Sequence, residues 1–365
     1  MRPTPNPSKD AQPVWTTGTD LRDDATGIYR FPHPSLVDDP ETVKCYPSVT
    51  TVLDEFMGSG MRHAEHWFTA EYVKQLAEAA KAKELVNVWL ATDNVDGGEV
   101  VEVNPLHLML NTLPAEQYGP NFGMHWIKKA GPREMRKRAN RGSILHDALE
   151  EWAYGQRVSS DDVTDYTQGL IQAKGYTITA DYVDQYVRQL LLWCDRSVAD
   201  VLMAEAVVMN DTYGYAGTLD TVLKLHPGLY PELDARGPVG MVDAKGSNSD
   251  QPSHELQGAA YFYAEYMGVP NTIERLPMPE MHWMANLYVQ PEKCTLRVWD
   301  RIVRCEDPQD CVPMNAFLHA RVLWEAMYSD QHPKTVKPQV KKVKPGDTGL
   351  PQKLADKLAQ GSLGV

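Results

Sequence analysis

The sequence predicts an α/β (or α+β) fold, in which a central mixed sheet is flanked by helices and carries helical additions on its N-terminal side. Two observations support this fold class. Helical patterns dominate up to about residue 200, after which the order is strand, strand, strand, helix, strand, strand, helix. The 365 residues are also 42% hydrophobic, which is enough to bury a large core. This order of elements indicates one layered domain.

The N-terminal part begins with an arm and a capped helix. Residues 1–40 are rich in Pro, Asp and Thr, and we expect them to form an irregular arm. The stretch YPSVTTVLDEFM at 46–57 predicts a turn and then a short helix, with Ser48 or Thr50 as its cap. An Ala-, Glu- and Lys-rich stretch at 61–83 predicts a second helix.

The middle of the chain predicts an insertion followed by helices. Residues 93–123 contain Gly, Asn and Pro, which favour a loop or a small insertion. Residues 125–155 predict two helical pieces, with breaks near Gly131–Pro132 and near Asn140–Gly142.

The second half of the chain alternates strands and helices. Apolar runs predict strands at 201–209, 213–225, 238–245, 281–289 and 294–302. Amphipathic patterns predict helices at 180–199, 254–268 and 314–328. We therefore expect one domain over 41–330, with its core at about 140–300, and a disordered Lys- and Pro-rich tail at 331–365.

Composition excludes several classes of protein. The net charge of −13 argues against a general polyanion binder, so any contact with nucleic acid requires local cationic patches or metal ions. Five scattered cysteines without a CxxC pair indicate reduced thiols. The N-terminus resembles no signal peptide, and no apolar run approaches the roughly 20 residues that span a bilayer. We expect a cytoplasmic protein with no membrane contact.

The stretch MVDAKGS at 241–247 places a carboxylate and an ammonium at the end of an apolar strand. Because side chains at i and i+2 of a strand share a face, Asp243 and Lys245 are expected to lie side by side. They fit either an exposed ion pair, which contributes only about 0–1 kcal/mol, or a metal ligand beside a water-handling group. This motif by itself favours the ion pair.

Other polar residues interrupt neighbouring apolar patterns. Asp220 ends YAGTLD on the preceding strand, and two acids on successive strands suit a hard divalent cation, although two unrelated surface aspartates are an equal alternative. Leu145, Ala148, Leu149 and Trp152 form a buried helical stripe with His146 at its edge, where a histidine is more often structural.

A glutamine and a tyrosine form an i, i+4 pair on the next helix. Gln257 and Tyr261 lie on the flank of its buried stripe. Without further context this pair indicates an ordinary hydrogen bond on a helix surface.

Together these residues form a pattern: His146, then G-x-x-D ending at Asp220, D-x-K at 243–245 and Q-x-x-x-Y at 257–261. The pattern resembles the PD-(D/E)XK nuclease superfamily and, more narrowly, its RecB-type exonuclease branch, including phage-encoded members. The resemblance covers about 140–265 and implies a restriction-endonuclease-like core. Asp243 stands where Glu is also found in the family.

The resemblance implies a Mg²⁺ site, with Mn²⁺ as a substitute. Asp220, Asp243 and the backbone carbonyl of Ala244 would be ligands, His146 would bind or orient one, and Glu205 is an additional candidate. Lys245 would position or deprotonate the attacking water. Gln257 and Tyr261 would hold Lys245 or the DNA backbone. Cys294, Cys305 and Cys311 lack the tight spacing of cluster-bearing members, so no iron–sulfur cluster is expected.

A cationic run precedes His146 and is the candidate DNA contact. A solvated helix face is the alternative explanation of such a run. The tail adds further lysines. The run consists of Lys128, Lys129, Arg133, Arg136, Lys137, Arg138 and Arg141.

The resemblance implies a metal-dependent DNA exonuclease that serves phage recombination, repair or replication in a host cytoplasm, with a single-strand annealing or binding protein as a candidate partner. A structure-specific or single-strand endonuclease on the same fold is equally compatible with the motif. A catalytically silent DNA-binding module is a third alternative, which the intact Asp, Asp and Lys argue against.

Overall fold

The computed structural model describes residues 22–23, 27–32, 43–57, 59–90, 99–159, 161–247, 250–268 and 275–328. These residues form a mixed α/β fold with twelve strands, which are β1 (Arg22–Asp23), β2 (Ile28–Pro32), β3 (Val43–Pro47), β4 (Val86–Leu90), β5 (Glu99–Val103), β6 (Val198–Asn210), β7 (Tyr215–Leu225), β8 (Val239–Lys245), β9 (Tyr266–Gly268), β10 (Arg275–Pro277), β11 (Trp283–Val289) and β12 (Cys294–Val298).

Eleven α-helices accompany the strands in the described part of the chain. They are α1 (Val49–Met57), α2 (Ser59–Ala82), α3 (Pro105–Met109), α4 (Ala115–Tyr118), α5 (Phe122–Lys128), α6 (Ala130–Ala153), α7 (Val163–Lys174), α8 (Ala180–Ser197), α9 (Pro231–Asp234), α10 (Pro252–Phe262) and α11 (Val312–Tyr328).

The central sheet has seven strands in the order β10-β9-β6-β7-β8-β11-β12. Its neighbours are antiparallel except for the pair β8 and β11, which run parallel. Parallel strands need a crossover connection, and α10 lies in the segment that provides it. The sheet is therefore mixed, as the sequence predicts.

Apolar side chains fill both faces of this sheet. On one face α6, α7 and α8 pack Leu145 and Leu190 near Val242 and Ala244. On the other face α1, α10 and α11 pack around Met241 in a second core. Since both faces are covered, β8 and β11 are buried along almost their whole length rather than at every second residue.

Part of the expected irregular arm is ordered as strands. β1, β2 and β3 form a small antiparallel sheet. Tyr29 and Tyr46 are buried against Val207 and Met209, and the Tyr29 hydroxyl lies 2.7 Å from Thr218 Oγ1. The aromatic pair therefore anchors this segment to the central sheet. The rest of the arm and the tail at 331–365 lie outside the described residues.

The N-terminal helical region has a small core of its own. Leu76 of α2 is buried with Val88 and Val103 of the β4–β5 hairpin and with Leu108 of α3. The segment 99–123, which falls in the expected loop or insertion, therefore contains a strand and two short helices before α5 begins. Ser48 caps α1, because its Oγ accepts the Thr51 N–H at 2.9 Å.

Two predicted helix boundaries were wrong, and the strand predicted at 294–302 ends at Val298. Helix α6 runs without a break through Asn140–Gly142. Pro132 lies in the first turn of this helix, where backbone N–H groups have no helical acceptor, so its missing N–H costs no hydrogen bond. Helix α10 ends at Phe262, because the chain then turns to pair Tyr266 and Met267 with β6 as strand β9, which lies between β6 and β10. No helix among the described residues is long and apolar enough to cross a bilayer.

Gly217 offers a test of this packing. A Cβ atom there would lie 2.4 Å from a ring carbon of Tyr261, so we expect Gly217→Ala to lower the free energy of unfolding by about 1–3 kcal/mol. Gly169→Ala is the control, because this helical glycine has open space around it and alanine should add about 0.5–1 kcal/mol. Urea denaturation measures both changes, and equal stability of the two variants would contradict the packing.

Candidate metal centre

The candidate metal centre lies where β7 and β8 separate. Their last paired residues are Thr221 and Val242, so the register would place Asp220 opposite Asp243. Instead of a further backbone pair, Asp220 Oδ2 accepts the N–H of Ala244 at 2.7 Å. The carboxylate thus replaces a ladder bond and is held in one orientation.

Helix α6 brings His146 to this carboxylate. The stripe of Leu145, Ala148, Leu149 and Trp152 is buried as predicted, and His146 lies at its edge with one-third of its side chain exposed. Its Nδ1 lies 3.4 Å from Asp220 Oδ1 and 3.4 Å from Glu205 Oε1. The packing of α6 on the sheet therefore sets the position of the imidazole.

Glu205 adopts a strained backbone conformation in β6. Its φ of 46° lies in the left-handed region, which a non-glycine residue occupies at a cost on the order of 1–3 kcal/mol. The flanking pairs, Ala204 with Thr221 and Ala206 with Leu219, put it opposite Asp220. The strained backbone therefore belongs to the residue whose carboxylate contacts His146.

His146, Glu205 and Asp220 form a group whose ligand atoms all lie within 4.8 Å of one another. Glu205 Oε1 and Asp243 Oδ1 are buried and make no hydrogen bond with the described residues, although Glu205 Oε1 has an ion-pair contact of 3.4 Å with His146 Nδ1. Such atoms are costly unless a cation or a donor satisfies them. Two carboxylates and an imidazole fit a divalent cation, and the nitrogen suits Mn²⁺. Asp243 stands outside the group, although its charge acts on Asp220.

Asp243 and Lys245 form the second half of the centre. Asp243 Oδ2 accepts hydrogen bonds from Lys245 Nζ and Asn286 Nδ2, each at 2.6 Å. Lys245 Nζ also donates to Gln257 Oε1 at 3.0 Å. Gln257 in turn bonds the hydroxyl of Tyr261. Asp243 and Lys245 are therefore largely buried and held by further hydrogen bonds, which differs from the exposed ion pair that the motif by itself favours.

The electrostatics indicate an excess of negative charge in the centre, where three carboxylates surround the cations of His146 and Lys245. Burial raises the pKa of Asp220 to about 7, with Asp243 and Glu205 adding to the rise and the His146 cation opposing it. Burial lowers the pKa of His146, but the carboxylates of Asp220 and Glu205 outweigh it and raise that pKa to about 10. For Lys245, burial is likewise outweighed by Asp243 and Asp220, and the pKa rises. A divalent cation would relieve the repulsion among the carboxylates.

The remaining site residues lie close by. The contact found for Ala244 is made by its N–H, so its carbonyl stays a predicted ligand. Burial chiefly raises the pKa of Tyr261 well above its usual range, so the hydroxyl stays protonated. Its ring packs on Gly217, which accounts for that glycine.

The cationic run divides into exposed and engaged members. Lys128, Lys129, Arg136, Lys137 and Arg138 are exposed. Arg138 is engaged as well, because its Nε donates to Glu134 Oε1 at 3.0 Å and its guanidinium lies 4.3 Å from the centroid of the Phe68 ring. The Arg133 guanidinium stacks 3.8 Å above the Trp126 ring.

Arg141 differs from the rest of the cationic run, because it is buried and its guanidinium is not available to contact DNA. It is 5% exposed, its Nη1 donates to the hydroxyls of Tyr182 and Tyr186, and its Nη2 donates to the Gly246 carbonyl. It therefore ties α6 and α8 to the segment that follows Lys245.

Sequence reasoning missed three residues near the centre. Asn286, fully buried, orients Asp243 and is itself bonded by Trp299; a lone asparagine in the apolar run WMANLYV was the available signal. His254 bonds the Tyr288 hydroxyl at 3.0 Å, and burial and then Lys245 lower its pKa to about 4. Burial and then Glu205 raise the pKa of Glu150, one turn after His146, to about 7.

Metal binding should depend on pH in a defined direction. The folded pKa of Asp220 exceeds its ordinary value of 3.8, so this carboxyl makes the metal-free fold less stable as pH rises from about 4 to about 7. Mn²⁺ competes with that proton and, where His146 is a ligand, also with the proton of His146, whose pKa is about 10. We expect Mn²⁺ to raise the melting temperature more at about pH 8 than at about pH 5.5, as measured by calorimetry.

Asp220→Asn should remove most of this metal-dependent shift. The control is Asp200→Asn, which removes an exposed carboxylate 3.6 Å from Lys224 and should leave the shift unchanged. A shift that is equal at both pH values, or that survives in Asp220→Asn, would contradict the assignment.

Comparisons with known proteins assign no family to the chain. Its sequence matches no protein-family model and no curated protein. Function is therefore inferred from the geometry of the centre and from the motif resemblance.

Proposed function

We propose that the chain is a Mg²⁺- or Mn²⁺-dependent deoxyribonuclease with a PD-(D/E)XK core of the RecB-like branch, and that it acts as an exonuclease. The observation that carries this proposal is the ligand group of His146, Glu205 and Asp220 beside the buried Asp243–Lys245 pair. The central mixed sheet with helices on both faces is compatible with the restriction-endonuclease-like core that the resemblance implies.

The residues of the chain have separate tasks in this mechanism. Asp220, Glu205 and His146 would hold the cation, with the unbonded Oδ1 of Asp243 beside it. The chemistry that such a cation supplies when bound is polarisation of the scissile phosphate and a lower pKa for the attacking water. Ala244 N–H keeps Asp220 oriented throughout, so the ligand set is organised before substrate arrives.

Lys245 acts as a hydrogen-bond donor in this scheme. Its raised pKa keeps the ammonium protonated, which favours positioning the water and stabilising charge on the phosphate over removing a proton. Asp243 and Gln257 hold the ammonium from two sides. Of the two roles that the resemblance allows, the electrostatics therefore support the positioning role.

DNA would reach this centre along the N-terminal part of α6. The exposed cations Arg136, Lys137 and Arg138 lie on the same helix as His146, two to three turns before it. The net charge of −13 disfavours phosphate contacts elsewhere, which restricts binding to local cationic surfaces.

A structure-specific or single-strand endonuclease on the same fold is the second candidate, because the motif residues serve both reactions. The discriminating experiment compares linear DNA with covalently closed circular DNA in Mg²⁺ or Mn²⁺. Degradation of linear DNA alone supports the exonuclease, whereas cutting of the circle supports the endonuclease. The silent binding module is disfavoured, since binding alone gives no reason to bury two unbonded carboxylate oxygens.

Loss of the Asp243–Lys245 pair should abolish most cleavage. We expect Asp243→Asn and Lys245→Met each to lower kcat by at least about 10²–10³-fold in a gel assay with Mg²⁺. Asparagine is preferred to alanine because alanine would leave Lys245 buried without a partner. Asp300→Asn, which breaks an exposed ion pair with Arg236, is the matched control. Near wild-type turnover in either site variant would refute the assigned site.

The cationic helix should determine affinity and not chemistry. Changing Arg136 and Lys137 to glutamine should reduce the slope of log K against log salt by about 0.7–0.9 for each phosphate that the protein no longer neutralises. Binding is measured over a salt series with Ca²⁺ in place of Mg²⁺ to suppress cleavage. The control changes Arg196 and Lys224 to glutamine on other elements. If both double variants keep the wild-type slope, these residues are only a solvated face.

A further inference from the structure

A small hollow lies beside the metal centre, and neither the motif nor the mechanism uses it. Its volume is about 170 Å³. It is lined by Asp250, Tyr288, Gln290, Lys293, Thr295 and Arg297. The lining therefore contains two cations, two hydroxyls and an amide, with one carboxylate.

Strand register connects this hollow to the catalytic pair. Asp243 on β8 pairs with Asn286 on β11, and Asn286 pairs with Arg297 on β12. Residues directly opposite in neighbouring strands share a face, so Arg297 lies on the face that carries Asp243. Two strand spacings separate their backbones by about 10 Å.

A second row runs parallel to the first. Lys245 on β8 pairs with Tyr288 on β11, and Tyr288 pairs with Thr295 on β12. The Tyr288 ring is buried, and its hydroxyl is held by His254 at 3.0 Å. The floor of the hollow is therefore rigid and continuous with the Lys245 side of the centre.

The cations of the hollow are available to an anion. Lys293 is exposed, and the Arg297 side chain is 53% exposed while it pairs with Asp250. An ion pair at such exposure is weak, so a phosphate can compete for the guanidinium. The guanidinium also lies 5.8 Å from the centroid of the Tyr288 ring, which restricts its orientation.

We propose that this hollow binds one backbone phosphate of the DNA strand next to the scissile phosphate, with Arg297 and Lys293 as its cationic contacts and Thr295 and Gln290 as polar ones. The proposal rests on the proposed nuclease function and names a second point of attachment for the same strand. It places the substrate across β8, β11 and β12, on the side of Lys245 that faces away from β7.

The test measures binding of a labelled oligonucleotide across a salt series, again with Ca²⁺. Because Arg297 and Lys293 share one phosphate, the double variant Arg297→Gln/Lys293→Gln should lower the salt slope by about 0.7–0.9 in total. Arg236→Gln is the matched control, since it also breaks an exposed pair with an aspartate but lies before the opposite end of β8. That control should keep the wild-type slope.

Substrate variants identify which phosphate is bound. A neutral methylphosphonate at the contacted position should weaken binding to the wild type and leave binding to the double variant unchanged. If only removal of a terminal phosphate has this effect, the hollow holds a strand end, which overturns the assignment of a backbone phosphate.

The two proposals fail in different ways. A double variant with the wild-type salt slope overturns the phosphate site, even if the wild type cleaves DNA. If the double variant lowers the salt slope as expected but the wild type cleaves no DNA, the nuclease function is overturned and the phosphate site still stands. A wild type that binds no DNA overturns both.

Discussion

A hydrogen bond from the Ala244 N–H to the Asp220 carboxylate stands where the ladder between β7 and β8 ends. The strands must part here, because a buried carboxylate occupies the place of the next backbone pair. Once Asp220 is held in this way, its second oxygen faces His146 and Glu205, and Asp243 follows on the adjoining strand. The arrangement of the whole centre depends on this one bond between neighbouring strands.

The cost of the arrangement is visible in several independent features. Glu205 has a left-handed backbone, two carboxylate oxygens are buried without a hydrogen bond among the described residues, and the pKa of Asp220 rises because of burial. Each feature destabilises the fold, and a divalent cation would offset the last two. The buried ammonium of Lys245 offsets only part of the negative charge, on the Asp243 side. The side chains that would carry the proposed chemistry are therefore the same ones that lower the stability of the metal-free fold.

The sequence predicts the elements that carry strong periodicity and misses those set by tertiary contacts. The strands that hold Asp220 and Asp243, the buried stripe of α6 and the Ser48 cap follow from local patterns. The three-residue strand β9 does not, because its pairing with β6 depends on a segment far away in the sequence. Arg141 looked like one more cation in a run, yet it lies four residues before Leu145 on the buried stripe. Helical spacing could have separated it from its neighbours, whereas the strain at Glu205 has no sequence signal.

The most direct test of the metal centre is a crystal structure of the protein with Mn²⁺, in which anomalous scattering locates the ion without reference to activity. We predict a single strong peak within about 2.0–2.6 Å of carboxylate oxygens of Asp220 and Glu205, with His146 binding it or orienting a ligand and Asp243 beside it. A peak at another site, or none at these residues under saturating Mn²⁺, would contradict the metal centre and with it the proposed hydrolysis.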